Sequence, residues 1–307
     1  MKIGLLFSGQ GAQHVGMGKD LVESYPEAAA LFQEADELLK NGFSEICFEG
    51  PEERLTDTSY CQPALFVHGL ALLAALKKER PNLHIHAAAG LSLGEFTAHT
   101  AAGHFNFADG LNLVAHRGRL MHEACQKTHG GMLSLIGATP EQAQLLAAET
   151  GLEVANYNCP GQIVLSGEME KIRFAAEKGK DLGLKRALPL NVAGAYHSRL
   201  MKSAQEGLKP FIDAANLHAS DIAVYSNVLG KRVCGETEIR ETLLQQVTGS
   251  VRWQNCVQEM IQYGVTQFIE LGPGKVLAGM CKRIDKEIQC LSIGTLHELM
   301  GALHEIK

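Results

Sequence analysis

Gly90-Leu91-Ser92-Leu93-Gly94 constrains this chain more than any other segment. It closes the small-residue run Ala87-Ala88-Ala89 and opens the helix-like stretch Glu95-Phe96-Thr97-Ala98-His99. A serine between two glycines at this spacing sits on a tight strand-to-helix turn. The glycines remove side chains that would clash there, and the hydroxyl faces a cleft on which nearby amide N–H groups converge. Such a serine can carry an acyl group. The plainer alternative is a glycine-rich turn with a capping serine.

The surrounding pattern supports a strand there. Ile3–Phe7 reads as a first strand, and Gly18–Lys40 has helical spacing offset near Pro26. Pro63–Lys78 is a strongly apolar helix, Ile85–Ala89 a second buried strand, and Phe107–Gln126 another long helix. Short buried strands alternating with longer helices predict a mainly parallel sheet covered on both faces.

The middle of the chain changes rhythm. Met132–Gly137 reads as strand, and Pro140–Thr150 as a helix opened by the capping pair Thr139-Pro140. Leu152–Tyr157 and Gln162–Ser166 are strands separated by the turn Asn158-Cys159-Pro160-Gly161. Glu168–Leu182 is helical and Lys185–Val192 returns as strand. The order β-α-β-β-α-β is the split ferredoxin-like plan. It predicts a small α+β domain over residues 127–196, inserted between residues 1–126 and 197–307 of one large α/β domain. In the last part, His197–Ala214, Glu238–Val247, Arg252–Tyr263, Val276–Ile284 and Leu296–Ile306 are predicted helical. Ala223–Asn227, Thr266–Leu271 and Cys290–Ile293 are predicted strands.

Composition narrows the function. A formal charge of -6, with the Lys/Arg pairs dispersed, argues against a phosphate-backbone binder, so no nucleic-acid partner is expected. The eight cysteines include no CxxC pair and no zinc-finger spacing, which fits reduced thiols in a cytoplasmic protein. Ile3–Phe7 is too short for a signal-peptide core, and no uninterrupted apolar run approaches a membrane span. His84 and His86 alternate on a strand without a third ligand, so no metal is expected.

A serine hydroxyl needs a base against it. His197, in Gly194-Ala195-Tyr196-His197-Ser198, stands where the small domain hands back to the large one, a natural cleft wall. The competing order Ser92, Asp285, His297 matches hydrolase triads, but His297 falls inside a helical pattern. In Ser8-Gly9-Gln10-Gly11-Ala12-Gln13 the glycines let the backbone approach a ligand and the Gln10 amide can donate. The GxGxxG spacing fails there, so an oxyanion-hole wall fits better, with the amide just after Ser92 as second donor. Arg117 lies on an apolar helical stretch, where a planar guanidinium could grip a substrate carboxylate.

Together these segments resemble the malonyl-CoA:acyl-carrier-protein transacylases. The resemblance spans the chain, through Arg117-Gly118, Asn158-Cys159-Pro160-Gly161-Gln162, Gln246 ahead of Val251-Arg252-Trp253, and Phe268-Ile269-Glu270-Leu271-Gly272-Pro273-Gly274. It implies a large α/β hydrolase-like parallel-sheet domain with the ferredoxin-like insertion. It also implies Ser92 as acylated nucleophile, His197 as base, Arg117 on the malonyl carboxylate, and Gln10 with the Leu93 N–H as oxyanion hole. Gln246 would orient His197 through its backbone carbonyl. No cofactor is implied; the substrates would be malonyl-CoA and phosphopantetheinylated acyl carrier protein, a transient partner of a monomeric enzyme of fatty-acid synthesis. Lys275, Lys282 and Arg283 are candidate contacts for that acidic partner.

Three positions depart from the family pattern: Leu91 replaces a histidine, and Ser8 and Ser250 replace prolines. Tyr196 stands where malonyl-selective members carry phenylalanine, and its ring should crowd an α-methyl group. A polyketide acyltransferase, a serine thioesterase and a silent interaction module are the competing readings.

Overall fold

The computed structural model describes residues 2–40, 42–181 and 183–306. In chain order its strands are β1 (Lys2–Phe7), β2 (Ile85–Gly90), β3 (Gly130–Ile136), β4 (Glu153–Cys159) and β5 (Gln162–Glu168), then β6 (Arg186–Pro189), β7 (Ala223–Ser226), β8 (Lys231–Arg232), β9 (Val265–Leu271) and β10 (Gln289–Ile293). They form a six-stranded sheet ordered β10-β9-β1-β2-β7-β8 and a four-stranded sheet ordered β4-β5-β3-β6.

In the larger sheet β1 pairs in parallel with β2 and β9, and only the β7–β8 pair is antiparallel. Five of the six β1 residues are buried, as expected of a strand with helices over both faces. The register sets Phe7 opposite both Gly90 and Leu271. The carboxyl ends of three neighbouring strands are therefore level, and the loops leaving them share one edge, where open α/β sheets place ligands.

The smaller sheet is antiparallel and carries the helices Pro140–Thr150 and Met169–Asp181. Their apolar faces meet it in a core of its own that includes Leu133, Leu146, Leu165 and Ile172. Thr139 and Gln142 close a reciprocal capping box at the first helix. The strand order is the ferredoxin-like one. The fold is thus α/β, a large hydrolase-like parallel sheet joined to a small ferredoxin-like sheet. Residues 155–157 and 251 tie the two: Val251 N–H donates to Ala155 O at 2.7 Å, and Tyr157 N–H to Val251 O at 2.8 Å.

Several elements differ from the sequence expectation. The long apolar helix runs Thr58–Glu79 with Pro63 inside it, because Asp57 Oδ1 caps the Ser59 N–H a turn earlier. At that length and composition it could cross a membrane, although 83% of its apolar window is buried inside the protein. The β4–β5 turn shrinks to Pro160-Gly161, with Gly161 at φ 72°, so Asn158 and Cys159 belong to β4. Helix does not begin at His197: a 3₁₀ turn starts at Arg199 and the α-helix spans Lys202–Ala214. β6 stops at Pro189, and the last helix at Ala302. The helices Phe43–Glu49 and Glu52–Thr56 and the two-residue β8 were not anticipated. Leu182, expected in the helix after β5, lies outside the described residues.

Candidate active site

Ser92 has φ 55° and ψ -108°, a conformation that side chains avoid, and it hands β2 over to the helix Leu93–Ala101. Its flanking glycines are required by contact rather than by φ. A Cβ on Gly90 would lie 1.9 Å from the Gly94 carbonyl, and one on Gly94 would lie 2.3 Å from Phe7 O. The turn is pressed against the end of β1, and only hydrogen fits. Asn227, just past β7, holds it from the other side: its Oδ1 accepts the Ser92 N–H at 2.7 Å and its Nδ2 donates to Gly90 O at 2.8 Å.

His197 also has positive φ, 56°, which is why no helix starts there. Its Nε2 lies 2.7 Å from Ser92 Oγ and its Nδ1 lies 2.8 Å from Gln246 O. A carbonyl oxygen can only accept, so Nδ1 carries the proton and Nε2 presents its lone pair to the serine O–H. Burial, then the nearby Arg117 charge, pushes the imidazole down to about 4, against the backbone carbonyls that favour protonation. It is neutral at neutral pH, as a proton acceptor must be. The competing His297 is exposed on the helix Leu296–Ala302.

Arg117 comes from the helix Phe107–Lys127 and is 1% exposed. The next residue explains its depth: a Cβ on Gly118 would meet Thr58 O at 2.7 Å, so its absence lets this helix close on the start of the Thr58–Glu79 helix. Arg117 Nη1 donates to Gln62 Oε1 at 2.6 Å, and Nη2 to Gln246 Oε1 at 2.8 Å and Ser92 Oγ at 3.1 Å. Burial lowers its pKa to about 10, so it remains a cation at neutral pH. Its present acceptors are two neutral amides and a hydroxyl, and a ligand carboxylate would bind it more strongly.

The Gln10 side chain is differently engaged from expectation. Its Nε2 donates to Thr58 Oγ1 at 3.1 Å and to the Tyr196 hydroxyl at 3.4 Å, and that hydroxyl lies 2.6 Å from Thr58 Oγ1. Leu93, the first residue of its helix, has an N–H with no intrahelical acceptor. Gln10, Gln62, Ser92, Arg117, Tyr196 and His197 line one cavity of about 500 Å³. Gln10, Ser92 and Arg117 line it from the large sheet, and Met132, Asn156 and Val164 from the small one.

Gln62, Glu95 and Asn227 were not picked out from the sequence. Only Glu95 left a signal: three residues after Ser92 on a helix, it turns back toward the same side. Burial raises its carboxyl to about 7 despite hydrogen bonds from Gln246 and Asn227. The other cations are partly spoken for. Arg283 donates to Gln162 Oε1 and Pro160 O on the β4–β5 turn, and Lys275 pairs with Glu298 at 3.5 Å. Ile3 N–H donates to His86 Nδ1 at 3.3 Å, and His84 packs edge-on against His86.

A hydroxyl held against a neutral imidazole can handle acyl groups, and a buried cation one hydrogen bond away can bind one that ends in an anion. Set at the carboxyl edge of a parallel sheet, this defines the class: an α/β acyltransferase. The acyl transferase domain family matches residues 5–304, and the chain belongs to that family. The malonyl CoA-acyl carrier protein transacylase of Bacillus subtilis (strain 168) is 40% identical over 311 residues, covering 100% of this chain and 98% of its own. The crystal structure of the malonyl CoA-acyl carrier protein transacylase from Clostridium perfringens ATCC 13124 superposes with a TM-score of 0.95 at 38% identity, covering 99% of this chain and 97% of that one. A malonyl-transacylase solved with a type II PKS acyl-carrier protein gives 0.95 at 33% identity, covering 99% and 100%.

Proposed function

We propose that this chain moves a malonyl group from malonyl-CoA to the phosphopantetheine thiol of an acyl carrier protein through a malonyl-Ser92 ester. Ser92 Oγ attacks the thioester carbonyl while its proton passes to His197 Nε2. The Leu93 N–H and Gln10 hold the oxyanion; with the Gln10 side chain bonded to Thr58 and Tyr196, its backbone N–H is the donor we assign. The C–S bond breaks, and the CoA sulfur leaves with the proton from His197. The carrier thiol then gives its proton to His197, attacks the ester carbonyl, and Ser92 departs with that proton. Gln246 keeps His197 in the required tautomer through its carbonyl.

One observation carries this reading: Arg117 Nη2 lies 3.1 Å from Ser92 Oγ. A three-carbon acyl group bearing a terminal carboxylate spans from the hydroxyl to a guanidinium shifted only slightly from that contact. The Tyr196 ring beside it would crowd an α-methyl branch, and comparable kcat/KM for methylmalonyl-CoA would contradict that role. The domain division we propose is 1–126 with 197–307, and 127–196. The setting is a monomeric cytoplasmic enzyme of fatty-acid synthesis. The relative solved with a type II PKS carrier protein motivates the second reading, a polyketide assembly line; side-by-side turnover with the two kinds of carrier separates them.

Intact mass spectrometry tests the chemistry. Incubation with malonyl-CoA should add one malonyl group, Ser92→Ala should prevent it, and holo carrier protein should discharge it onto its own thiol. Release of free malonate with no carrier product would overturn the transferase in favour of a thioesterase.

A further inference from the structure

Glu95 touches none of the reacting atoms, yet it is 0% exposed in the wall behind Ser92. A buried carboxylate costs several kcal/mol unless it is well partnered, so its partners indicate its use. Glu95 Oε2 accepts from Gln246 Nε2 at 2.7 Å and from the Asn227 backbone N–H at 3.1 Å. Both partners hold the reacting groups. Gln246 Nε2 also donates to Ser92 O at 2.8 Å, its Oε1 accepts from Arg117, and its backbone O accepts from His197. Asn227 grips the Ser92 N–H and Gly90 O.

The chemistry of the Gln246 amide makes Glu95 more than filler. An amide has an accepting and a donating end, and the neighbours decide which way round it sits. Glu95 Oε2 already accepts the Asn227 N–H, so it faces Gln246 as an acceptor whether or not a proton sits on Oε1, draws the NH₂ end toward itself and leaves the amide oxygen facing Arg117. Turned over, the amide would point N–H groups at a guanidinium, with Arg117 losing its acceptor beside Ser92.

We propose that Glu95 is a positioning residue: by fixing the orientation of Gln246 it aims Arg117 at the acyl site and holds the carbonyl that sets the His197 tautomer. The activity arm of its test rests on the malonyl-transfer reading; a spectroscopic arm does not. Glu95→Ala should lower single-turnover malonyl transfer roughly 100-fold but acetyl transfer only about tenfold, since acetyl has no carboxylate for Arg117. Glu95→Gln, which can offer an oxygen at the same place, should recover to within about tenfold of the unaltered chain. Glu95→Asp keeps the charge but withdraws it by a methylene, and should also lower the malonyl-to-acetyl ratio; it serves if the alanine variant does not fold. In the proton NMR spectrum, the downfield His197 Nδ1–H signal, assigned by its loss in His197→Ala, should be weakened or shifted in Glu95→Ala and Glu95→Asp and restored in Glu95→Gln. An unchanged malonyl-to-acetyl ratio together with an unchanged Nδ1–H signal in Glu95→Asp would overturn the proposal. Failure of the unaltered chain to form a malonyl adduct would instead sink the transfer reading, leaving the NMR arm to decide on Glu95.

Discussion

Acid titration of the transfer step probes the His197 environment directly. Burial first, and the Arg117 charge second, hold this imidazole at about 4, where an ordinary histidine titrates at 6.5. At a pH of about 5.5, a histidine titrating at its usual value is about 90% protonated and useless as a base, whereas one at about 4 is about 3% protonated. Single-turnover acylation of Ser92 should therefore be nearly as fast at that pH as at neutrality, with its acid limb falling near 4. Arg117→Ala removes the neighbouring cation and admits water to the space it fills, so the limb should move up toward the ordinary value. Quenched-flow mass spectrometry from about pH 3.5 to about pH 8 reads this, with acetyl-CoA as the donor for the variant because acetyl needs no guanidinium. A limb near the ordinary histidine value in the unaltered chain would refute the reasoning, as would an identical limb in the variant.

Arg117→Ala should reduce malonyl transfer about 100-fold or more while acetyl transfer stays within about tenfold, by steady-state kcat/KM; equal losses would contradict a carboxylate clamp. Gly94→Ala forces a Cβ to 2.3 Å from Phe7 O, a backbone atom at the end of a central strand, and should cost about 3 kcal/mol in urea unfolding; an unchanged midpoint would show that the turn can relax. Stability should fall in acid. His68, His99 and His197 have folded pKa values depressed by burial, so the unfolded chain takes up protons first and stability present above about 6.5 is lost as pH drops toward 4. Glu95 and Glu270, whose pKa values burial raises, act in the opposite sense and offset part of the loss. Denaturant midpoints that stay flat or rise over that window would contradict this balance.

What could be read in advance was whatever has a local cause. The Ser92 turn was legible because Gly90 answers a clash with Gly94 four residues on, and the inserted sheet because the Thr139-Pro140 capping pair and a Pro-Gly turn punctuate it. His197 and Arg117 were candidates from their own segments, at a domain junction and on an apolar helical stretch, and the family resemblance then assigned their roles. Glu95, Asn227 and Gln62 escaped for a different reason. Asn227 meets Ser92 across 135 positions, and Gln246 meets Glu95 across 151. A lone polar residue in an apolar stretch carries no periodicity to announce such a partner. The Gln10 side-chain contacts were not foreseen because the Tyr196 and Thr58 hydroxyls it donates to come from two other segments. Pro63 misled because it resembles a helix start, while the true cap, Asp57, stands six residues before it.

Backbone strain marks the same pair of residues. Among the described residues Lys40, Ser92 and His197 are the non-glycine positions with positive φ. Lys40 closes a helix, where a left-handed residue is ordinary. Ser92 and His197 face each other across a 2.7 Å hydrogen bond, and strain of this kind costs about 1–3 kcal/mol per residue. Its persistence requires restraints that over-determine both backbones, and Gln246 supplies one to each: its side chain holds Ser92 O, and its carbonyl holds the His197 ring. Asn227 adds a hold on the Ser92 N–H, so hydroxyl and imidazole are positioned through Gln246 and Asn227, both bonded to Glu95. The small sheet reaches the same pair: it gives the cavity walls Met132, Asn156 and Val164, and its Glu153 Oε2 accepts the Arg199 N–H, two residues after His197, at 2.7 Å. The cavity wall and the imidazole are therefore tied to one sheet.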